Sequence, residues 1–167
     1  MQIFVFVEKR EAGLYNDIRM CAGQSEKEQV IMNISTRGRY ALRMLVDIAE
    51  HDGEGYVSLG EIAERQGISK NYLEQIVALL KNADILTSTR GALGGYRLSR
   101  TPADVNVGEL LRRTEGSVAA AVCFEDEPEN CPRTAFCPTL PVWVGLERVV
   151  LEYLDTISLQ DILDGNV

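Results

Sequence analysis

Apolar residues recur at helical spacing through the middle of this chain. A first helix is predicted over residues 37–51, because its apolar residues share one face and an Asp-Gly-Glu-Gly segment follows. A second begins at Ser58, with Glu61 three residues later in the spacing of a capping box, and ends at Gly67. A third, capped by Ser69, places its apolar residues at i, i+3, i+4 and i+7: Leu73, Ile76, Val77 and Leu80.

The next segment combines short β-type runs with a glycine-rich turn. Residues 85–89 and 96–98 predict two strands, and the sequence Arg-Gly-Ala-Leu-Gly-Gly between them predicts the tip of a β-hairpin. Two short helices joined by a glycine turn and followed by such a hairpin are typical of a winged helix-turn-helix, in which the hairpin is the wing. The predicted fold class is therefore mainly α.

The C-terminal part predicts further helices on both sides of a cysteine-containing loop. Asn106 with Glu109 opens a short helix that ends near Gly116, and Ser158 with Asp161 opens another close to the C terminus. Between them, a long helix capped by Thr139 carries an apolar stripe: Trp143, Leu146, Val150 and Leu154, widened by Val142 and Val149. The stripe fits either core packing or an interface, and its width favours an interface.

Charge is distributed unevenly along the chain. The formal net charge is -8, yet residues 121–167 hold nine of the acidic and only two of the basic residues. Residues 65–100 show the opposite balance, with two acidic residues and six basic ones: Arg65, Lys70, Lys81, Arg90, Arg97 and Arg100. A local positive excess of this kind predicts a surface that faces phosphates.

The exposed face of the third helix carries polar residues near its N-terminus, namely Lys70, Asn71, Glu74 and Gln75. A recognition helix presents this end to base edges in the major groove. Arg90, at the tip of the hairpin, has the reach and charge to enter a minor groove. The alternative is an ordinary solvated helix face, but the local charge and the adjoining wing favour contact with DNA.

Cys123, Cys131 and Cys137 lie in a Pro-rich acidic loop, CFEDEPENCPRTAFCPT. Without secretory features, thiols this close together favour soft-metal binding or reaction with oxidants over disulfides. Structural thiols and a zinc site are the alternatives, although structural zinc is almost always held by four protein ligands. Cys21 is assigned no role, and the single histidine, His51, is expected to cap the first helix.

Four segments, in order, resemble the Rrf-two (Rrf2) family of bacterial winged-helix transcriptional regulators, in particular its IscR-like, iron-sulfur type. They are MNISTRGRYALRMLVDIA, EIAERQGISKNYLEQIVALLKNADIL, TRGALGGYRLSR and VGELLRRTEG, and the resemblance runs from Met32 to about Gly165. It implies a sequence-specific regulator, not an enzyme, that binds double-stranded DNA at a palindromic operator as a homodimer. The long helix would form the dimer interface through Trp143, Leu146, Val150 and Leu154.

On this basis the chain divides into four parts: an N-terminal extension (1–31), a winged helix-turn-helix domain (32–116), a cysteine loop (117–139), and a dimerisation helix with the C-terminal segment (140–167). The candidate DNA-binding residues are Arg37, Arg39, Ser69, Lys70, Asn71, Tyr72, Glu74, Gln75, Arg90, Gly91 and Arg97.

The resemblance also implies an iron-sulfur cluster, of the two-iron or four-iron type, held by Cys123, Cys131 and Cys137. Thiolates suit iron because they are soft, charged donors. The fourth ligand departs from the family pattern, since Leu140 stands where a histidine is expected and Arg39 where an acidic residue is expected. Four acidic residues of the loop, a small-molecule thiol or water could complete the coordination; the acidic residues are Glu125, Asp126, Glu127 and Glu129.

The alternative is a regulator of the same fold without a cluster, controlled by thiol oxidation or by a partner enzyme. A cysteine-based redox enzyme is not favoured, because the chain has no Cys-x-x-Cys and no histidine near the loop. An interaction adaptor that has lost DNA binding is not favoured either, because Arg90 and the basic residues around it are present.

Residues 1–31 have no counterpart in the family pattern, and family members begin where Met32 stands, so we expect translation to start at Met32. The alternative is a genuine additional strand and tail. The apolar run Ile3–Val7 lacks the basic region and cleavage site of a signal peptide. No apolar run approaches the roughly 20 residues of a membrane span. The predicted location is the cytoplasm, without membrane contact.

Overall fold

A computed structural model describes residues 34–91, 94–116, 118, 131 and 133–167 of the chain. Its α-helices are α1 (Thr36–Glu50), α2 (Leu59–Gln66), α3 (Lys70–Asn82), α4 (Val107–Glu115), α5 (Leu140–Thr156) and α6 (Leu159–Leu163). Its strands are β1 (Leu86–Thr89) and β2 (Gly95–Leu98), and short 3-10 helices occupy Asp52–Glu54, Pro102–Asp104 and Thr134–Phe136. The predicted extension (1–31), Cys21, Cys123 and the loop's acidic candidates lie outside the described residues.

The ends of α1, α2 and α3 follow the predicted capping. His51 Nδ1 donates to the Asp47 carbonyl oxygen at 2.7 Å, which satisfies a free carbonyl at the end of α1. Ser58 and Glu61 form the reciprocal capping box of α2, and Gly67 ends this helix in the left-handed conformation, with φ of 64°. Ser69 then caps α3 through the Tyr72 N–H.

Two more caps form as predicted, and one does not. Asn106 Oδ1 accepts from the Glu109 N–H at 3.0 Å at the start of α4, and Ser158 with Asp161 makes the capping box of α6. Thr139 occupies the N-cap position of α5, but its side chain makes no capping bond. Its backbone is helical rather than extended, and its hydroxyl instead contacts Cys137 Sγ at 3.3 Å.

The hairpin is antiparallel, with Leu86 of β1 opposite Leu98 of β2 and Thr89 opposite Gly95. The segment before α2 joins the strands, since Val57 and Tyr96 exchange backbone hydrogen bonds of 2.9 and 2.8 Å. A Cβ atom at Gly95 would collide with the Val57 carbonyl group. Only glycine allows this close approach of the two backbones.

The core lies around α1, which packs against α2, α3, α4 and α6. Its fully buried large side chains are Met44, Leu45, Ile48, Ile62, Leu73, Ile76, Leu80, Ile85, Val105, Leu110 and Leu159. Leu159 belongs to α6, which follows α5 and returns to this core through hydrogen bonds that join residues 157–159 to residues 105–107. We call residues 34–116 together with α6 the head.

In contrast, α5 buries none of its 17 residues within the single chain. Trp143 is 39% exposed, Leu146 42% and Val149 57%, while Val150 and Leu154 are half-buried. The predicted stripe is therefore not part of the core of one chain. Within the described residues, no helix combines the length and the apolar character that crossing a membrane would require.

Candidate nucleic-acid interface

The helix-turn-helix consists of α2, a turn at Gly67 and Ile68, and α3. Ile68 is buried and its N–H bonds to the Ala63 carbonyl oxygen at 3.2 Å, which ties the turn to α2. The four apolar residues predicted for the inner face of α3 are all buried. Its opposite face is therefore exposed, and it carries the predicted contacts Lys70, Asn71, Glu74 and Gln75.

Two of the other candidates, the N-cap residue of α3 and a residue in its first turn, have structural roles in the free protein. Ser69 is exposed, and its hydroxyl accepts from the Tyr72 N–H at 3.4 Å. Tyr72 is half-buried and meets the ring of Tyr40 edge to face, with ring centroids 5.8 Å apart. This aromatic contact joins the first turn of α3 to α1.

The wing places Arg90 and Gly91 at its exposed tip. Gly91 has a φ of 119°, which residues with a side chain rarely adopt. Arg97, on β2, forms a two-point ion pair with Asp52: Nε to Oδ1 is 2.7 Å and Nη2 to Oδ2 is 3.2 Å. The hydrogen bonds and charge of Arg97 lower the pKa of Asp52. Contact between Arg97 and DNA would have to coexist with this pair or break it.

Arg37 and Arg39 lie exposed in the first turn of α1. The start of this helix is fixed by Glu115, the last residue of α4. Glu115 Oε1 accepts from Ser35 Oγ and from the Gly38 N–H, both at 2.8 Å. Since Gly116 and the cysteine loop follow directly, one carboxylate joins the beginning of the loop to the helix that carries both arginines.

The positive charge of residues 65–100 is partly neutralised by contacts that the sequence does not reveal. Arg65, Arg97 and Arg100 pair with Asp47, Asp52 and Glu109, which all lie outside that segment. Lys81 Nζ donates to the neutral Ser88 Oγ at 2.7 Å and keeps its charge. The uncompensated positive charge of this segment is thus smaller than the sequence predicts, and it lies on the exposed Lys70, Lys81 and Arg90.

Sequence reasoning missed Tyr40, Arg43 and Asp47 of α1. Arg43 donates to the Gln66 carbonyl oxygen at 2.6 Å and lies over the Tyr40 ring at 5.5 Å from its centroid. Asp47 is 1% exposed and binds Arg65. A signal for Asp47 was present, because an acidic residue beside Met44 and Ile48 on an apolar face requires a partner.

Two of the three predicted cluster ligands are described. Cys131 and Cys137 are free thiols and half-buried. Among the residues that the structure describes, no three His, Cys, Asp or Glu side chains are grouped closely enough to hold a metal ion. The two positions where a fourth ligand is expected are far apart in the chain. Leu140 is the first residue of α5, and Arg39 is exposed in the first turn of α1.

The environment of Cys137 favours the thiolate. The Thr139 hydroxyl, followed by the N–H groups of Thr139 and Leu140 and the charge of Arg133, lowers the pKa of the Cys137 thiol against a smaller opposing effect of burial. Thiolate is the form that binds metals and reacts with oxidants. The donor chemistry of this side chain is therefore compatible with either mode of sensing.

The helix-turn-helix, its exposed α3 face and the hairpin define a winged-helix protein of the DNA-binding type. The chain belongs to the Rrf2 family: the family model described as "Iron-dependent Transcriptional regulator" matches residues 34–165.

Individual relatives agree with this assignment. Protein rrf2 of Nitratidesulfovibrio vulgaris is 42% identical over 132 residues, which cover 79% of this chain and 87% of that protein. Among solved structures, IscR of T. potens superposes with a TM-score of 0.65 at 41% identity, covering 81% of this chain and 88% of that one. CymR, described as the global cysteine regulator of B. subtilis, gives 0.64 at 37% identity, with 78% and 95% covered.

Proposed function

We propose that this protein is a homodimeric transcriptional regulator that binds a palindromic DNA operator through α3 and the wing. The observation that carries the proposal is the exposed N-terminal half of α3, which presents amide and charged side chains to solvent. The opposite face of the same helix is buried in the core, so the exposed face is held in place. Asn and Gln can bind adenine edges with two hydrogen bonds, and Lys binds guanine. Arg90 would add a minor-groove or phosphate contact from the wing tip.

The exposed face of α5 supports the dimer. Val142, Trp143, Leu146 and Val149 are between 39% and 63% exposed in one chain. A second copy, related by twofold symmetry, would cover this face and place two heads on the same side of DNA. Two symmetric heads account for a palindromic site, because each contacts one half-site.

Titration of DNA binding tests the contacts. We expect Arg90→Ala to weaken binding to all duplexes and to reduce its salt dependence. Asn71→Ala and Gln75→Ala should each lower discrimination between bases by about 1–3 kcal/mol. The probe is a duplex selected from random sequence by the wild-type protein, compared with a scrambled version. Arg113→Ala, an exposed arginine of α4, controls for the loss of charge. Unchanged binding by all three variants would contradict the proposal.

We further propose that the cysteine loop holds an iron-sulfur cluster through Cys123, Cys131 and Cys137. The support is chemical: three thiols in one short loop, of which Cys137 lies where its thiolate is favoured. Such a cluster would supply sensitivity to iron, sulfide and oxidants. The loop lies between Glu115, which binds the start of α1, and the first turn of α5. A change in the loop can therefore act on both the head and the dimer helix.

Anaerobic purification tests this part of the proposal. Wild-type protein should be coloured and should contain iron and acid-labile sulfide in equal amounts. Cys131→Ala should lose the colour, the iron and the sulfide. Cys21→Ala, made in the full 167-residue chain, is the matched control, because this cysteine lies outside the loop. A colourless, iron-free wild type that still binds the selected duplex would retain the DNA-binding function and reject the cluster.

The second candidate is thiol-based control without a cluster, through oxidation or a partner enzyme. It is favoured by the similarity to CymR and by Leu140, which replaces the expected histidine ligand. In that case mild oxidation of the iron-free protein should change its affinity for the selected duplex, and Cys137→Ser should remove the response. An iron-free protein whose affinity is unaffected by oxidants would leave partner binding as the mode of control.

A further inference from the structure

Asp47 is a buried carboxylate that the proposed DNA contacts do not use. It lies on α1 between core residues and is 1% exposed. A charged group in this position is strongly unfavourable unless partners replace the water that it has lost. Its partners therefore indicate what the charge does in the head.

Both side chains that donate hydrogen bonds to the Asp47 carboxylate come from the end of α2. Arg65 donates from Nη2 to Oδ1 at 2.6 Å, and from Nε to Oδ1 and Oδ2 at 3.2 and 3.1 Å. Gln66 donates from Nε2 to Oδ2 at 2.8 Å. These bonds fix the last two residues of α2 against the side of α1, because planar groups bound at several points have little freedom to rotate.

A second residue of α1 holds the same end of α2. Arg43, one helical turn before Asp47, donates to Gln66 Oε1 at 3.1 Å and to the Gln66 carbonyl oxygen at 2.6 Å. The Gln66 amide is thus bound at both its oxygen and its nitrogen. We call Arg43, Asp47, Arg65 and Gln66 the α1–α2 polar cluster.

The polar cluster lies where the direction of α3 is determined. Three residues, Gly67, Ile68 and Ser69, separate Gln66 from α3, and Gly67 is fixed in the left-handed conformation. Displacement of the end of α2 would therefore displace the start of α3. The Arg43 guanidinium also lies over Tyr40, whose ring meets Tyr72 in the first turn of α3. Both routes connect α1 to the face that would contact bases.

We propose that Asp47 is a positioning residue for DNA recognition, which through Arg65 and Gln66 sets the direction in which α3 presents its N-terminal face. This inference rests on the proposed function, in which that face contacts bases. Apolar side chains of similar volume could fill the same space, but they could not replace directional bonds. The polar cluster therefore restricts the orientation of α3 relative to α1 more than apolar packing alone would.

A double substitution separates orientation from stability. Asp47→Leu combined with Arg65→Met removes both charges, and replacing a buried ion pair with apolar residues is often neutral for stability. We expect this variant to melt close to the wild-type temperature. Its preference for the selected duplex over the scrambled one should nevertheless fall roughly tenfold, the size of one lost base contact. Binding to scrambled DNA should keep its salt dependence, because the variant removes the paired charges of Asp47 and Arg65 together and leaves the exposed Lys70 and Arg90 unchanged.

A matched control uses the ion pair between Arg100 and Glu109, which joins the end of the hairpin to α4 with bonds of 3.0 and 3.1 Å. Glu109→Leu combined with Arg100→Met should leave the preference for the selected duplex unchanged. If the Asp47 and Arg65 double variant melts normally and also keeps the full preference, Asp47 has only a structural role and the proposal is overturned.

Residual dipolar couplings provide a readout that does not depend on DNA. In the double variant, the couplings of α3 should no longer fit the wild-type orientation relative to α1. If the orientation is unchanged, the inference fails whatever the DNA titrations show. If the wild type prefers no sequence at all, the proposed function fails, while altered couplings would still support the link between Asp47 and α3.

Discussion

The head and α5 differ in how far their apolar side chains are buried within the single chain. Leu73, Ile76 and Leu80 of α3 are all fully buried, whereas α5 has no buried residue in the single chain. Both helices are amphipathic. They differ in what lies opposite their apolar face: α3 meets α1, α2 and α4, while much of the apolar surface of α5 meets solvent.

This difference indicates that the head can fold as a unit and that α5 requires a covering surface. The core of the head closes without α5, because α6 returns to it after α5 has ended and buries Leu159. An apolar groove of about 450 Å³ remains beside α5, lined by Ile34, Val118, Val149, Val150, Tyr153 and Leu154. Large apolar side chains that remain exposed along one helix, as Val142, Trp143, Leu146 and Val149 do here, are typical of protein interfaces. The proposed dimer would cover them.

The largest expected effect comes from a matched pair of leucine truncations. Leu80→Ala in the head should lower the free energy of unfolding by about 3 kcal/mol, because the fully buried side chain leaves a cavity. Leu146→Ala in α5 removes the same atoms from a residue that is 42% exposed. In dilute protein its cost should be below about 1 kcal/mol, rising with protein concentration if a dimer forms.

Urea unfolding followed by circular dichroism, repeated over a range of protein concentrations, measures both values. Equal losses in the two variants at low concentration would contradict the distinction between a closed head and an open α5.

Local signals in the sequence were sufficient for most of the fold. The caps at Ser58, Ser69, Asn106 and Ser158 all formed as predicted, because each depends on partners within three residues. Thr139 was the exception. Its hydroxyl has a second partner in Cys137, and no pattern in the sequence distinguishes a backbone N–H from a thiol as the partner of this hydroxyl.

Long-range polar pairs could not be predicted. Asp52 and Arg97 are 45 positions apart, and Ser35 and Glu115 are 80 apart. Which carboxylate meets which cation depends on how the helices pack, and not on a pattern within one segment. For this reason the sequence overestimated the free positive charge of the candidate DNA-binding surface, while it identified the exposed face of α3 correctly.

The second prediction addresses the surface that covers α5. Val149→Asp places a charge at a site that is 57% exposed in one chain and would be covered in the dimer. Self-association should weaken by about tenfold to a hundredfold, equivalent to roughly 1.4–2.7 kcal/mol. Analytical ultracentrifugation should then show the single-chain mass of 18.5 kDa.

Arg148→Ala, at a neighbouring α5 position whose side chain is 72% exposed, is the control and should keep the dimer mass. Retention of that mass by Val149→Asp would place the interface elsewhere.

The third prediction compares polar contacts within the head by their pH dependence. Burial raises the pKa of Asp47, but hydrogen bonds from Arg65 and Gln66, with the charges of Arg65 and His51, more than compensate and hold the pKa below its ordinary value. The ionised carboxylate therefore stabilises the fold above the unfolded-state pKa of about 3.9, and this contribution is lost as the pH falls through the lower native pKa.

Asp47→Asn should accordingly cost about 2 kcal/mol near neutral pH, the size of hydrogen bonds to a charged group. Its difference from the wild type should shrink as the pH falls below about 4. Urea midpoints measured across this range provide the test. Asp84→Asn, the same substitution at an exposed site, is the control. A difference between wild type and Asp47→Asn that is independent of pH would contradict the role assigned to the charge.

The smallest effect is expected where the head and α5 are joined by exposed polar groups. Arg112 Nη2 of α4 lies 2.7 Å from Asp155 Oδ1 of α5, and both side chains are 44% exposed. Solvent screens such a pair, so Arg112→Ala should cost no more than about 0.5 kcal/mol beyond the control Arg113→Ala. The difference should disappear in about 1 M salt, where charges are screened over a few ångströms. If Arg112→Ala lowered the free energy of unfolding as much as Leu80→Ala does, α5 would be held to the head as firmly as the core helices are. The head and α5 would then be one folding unit.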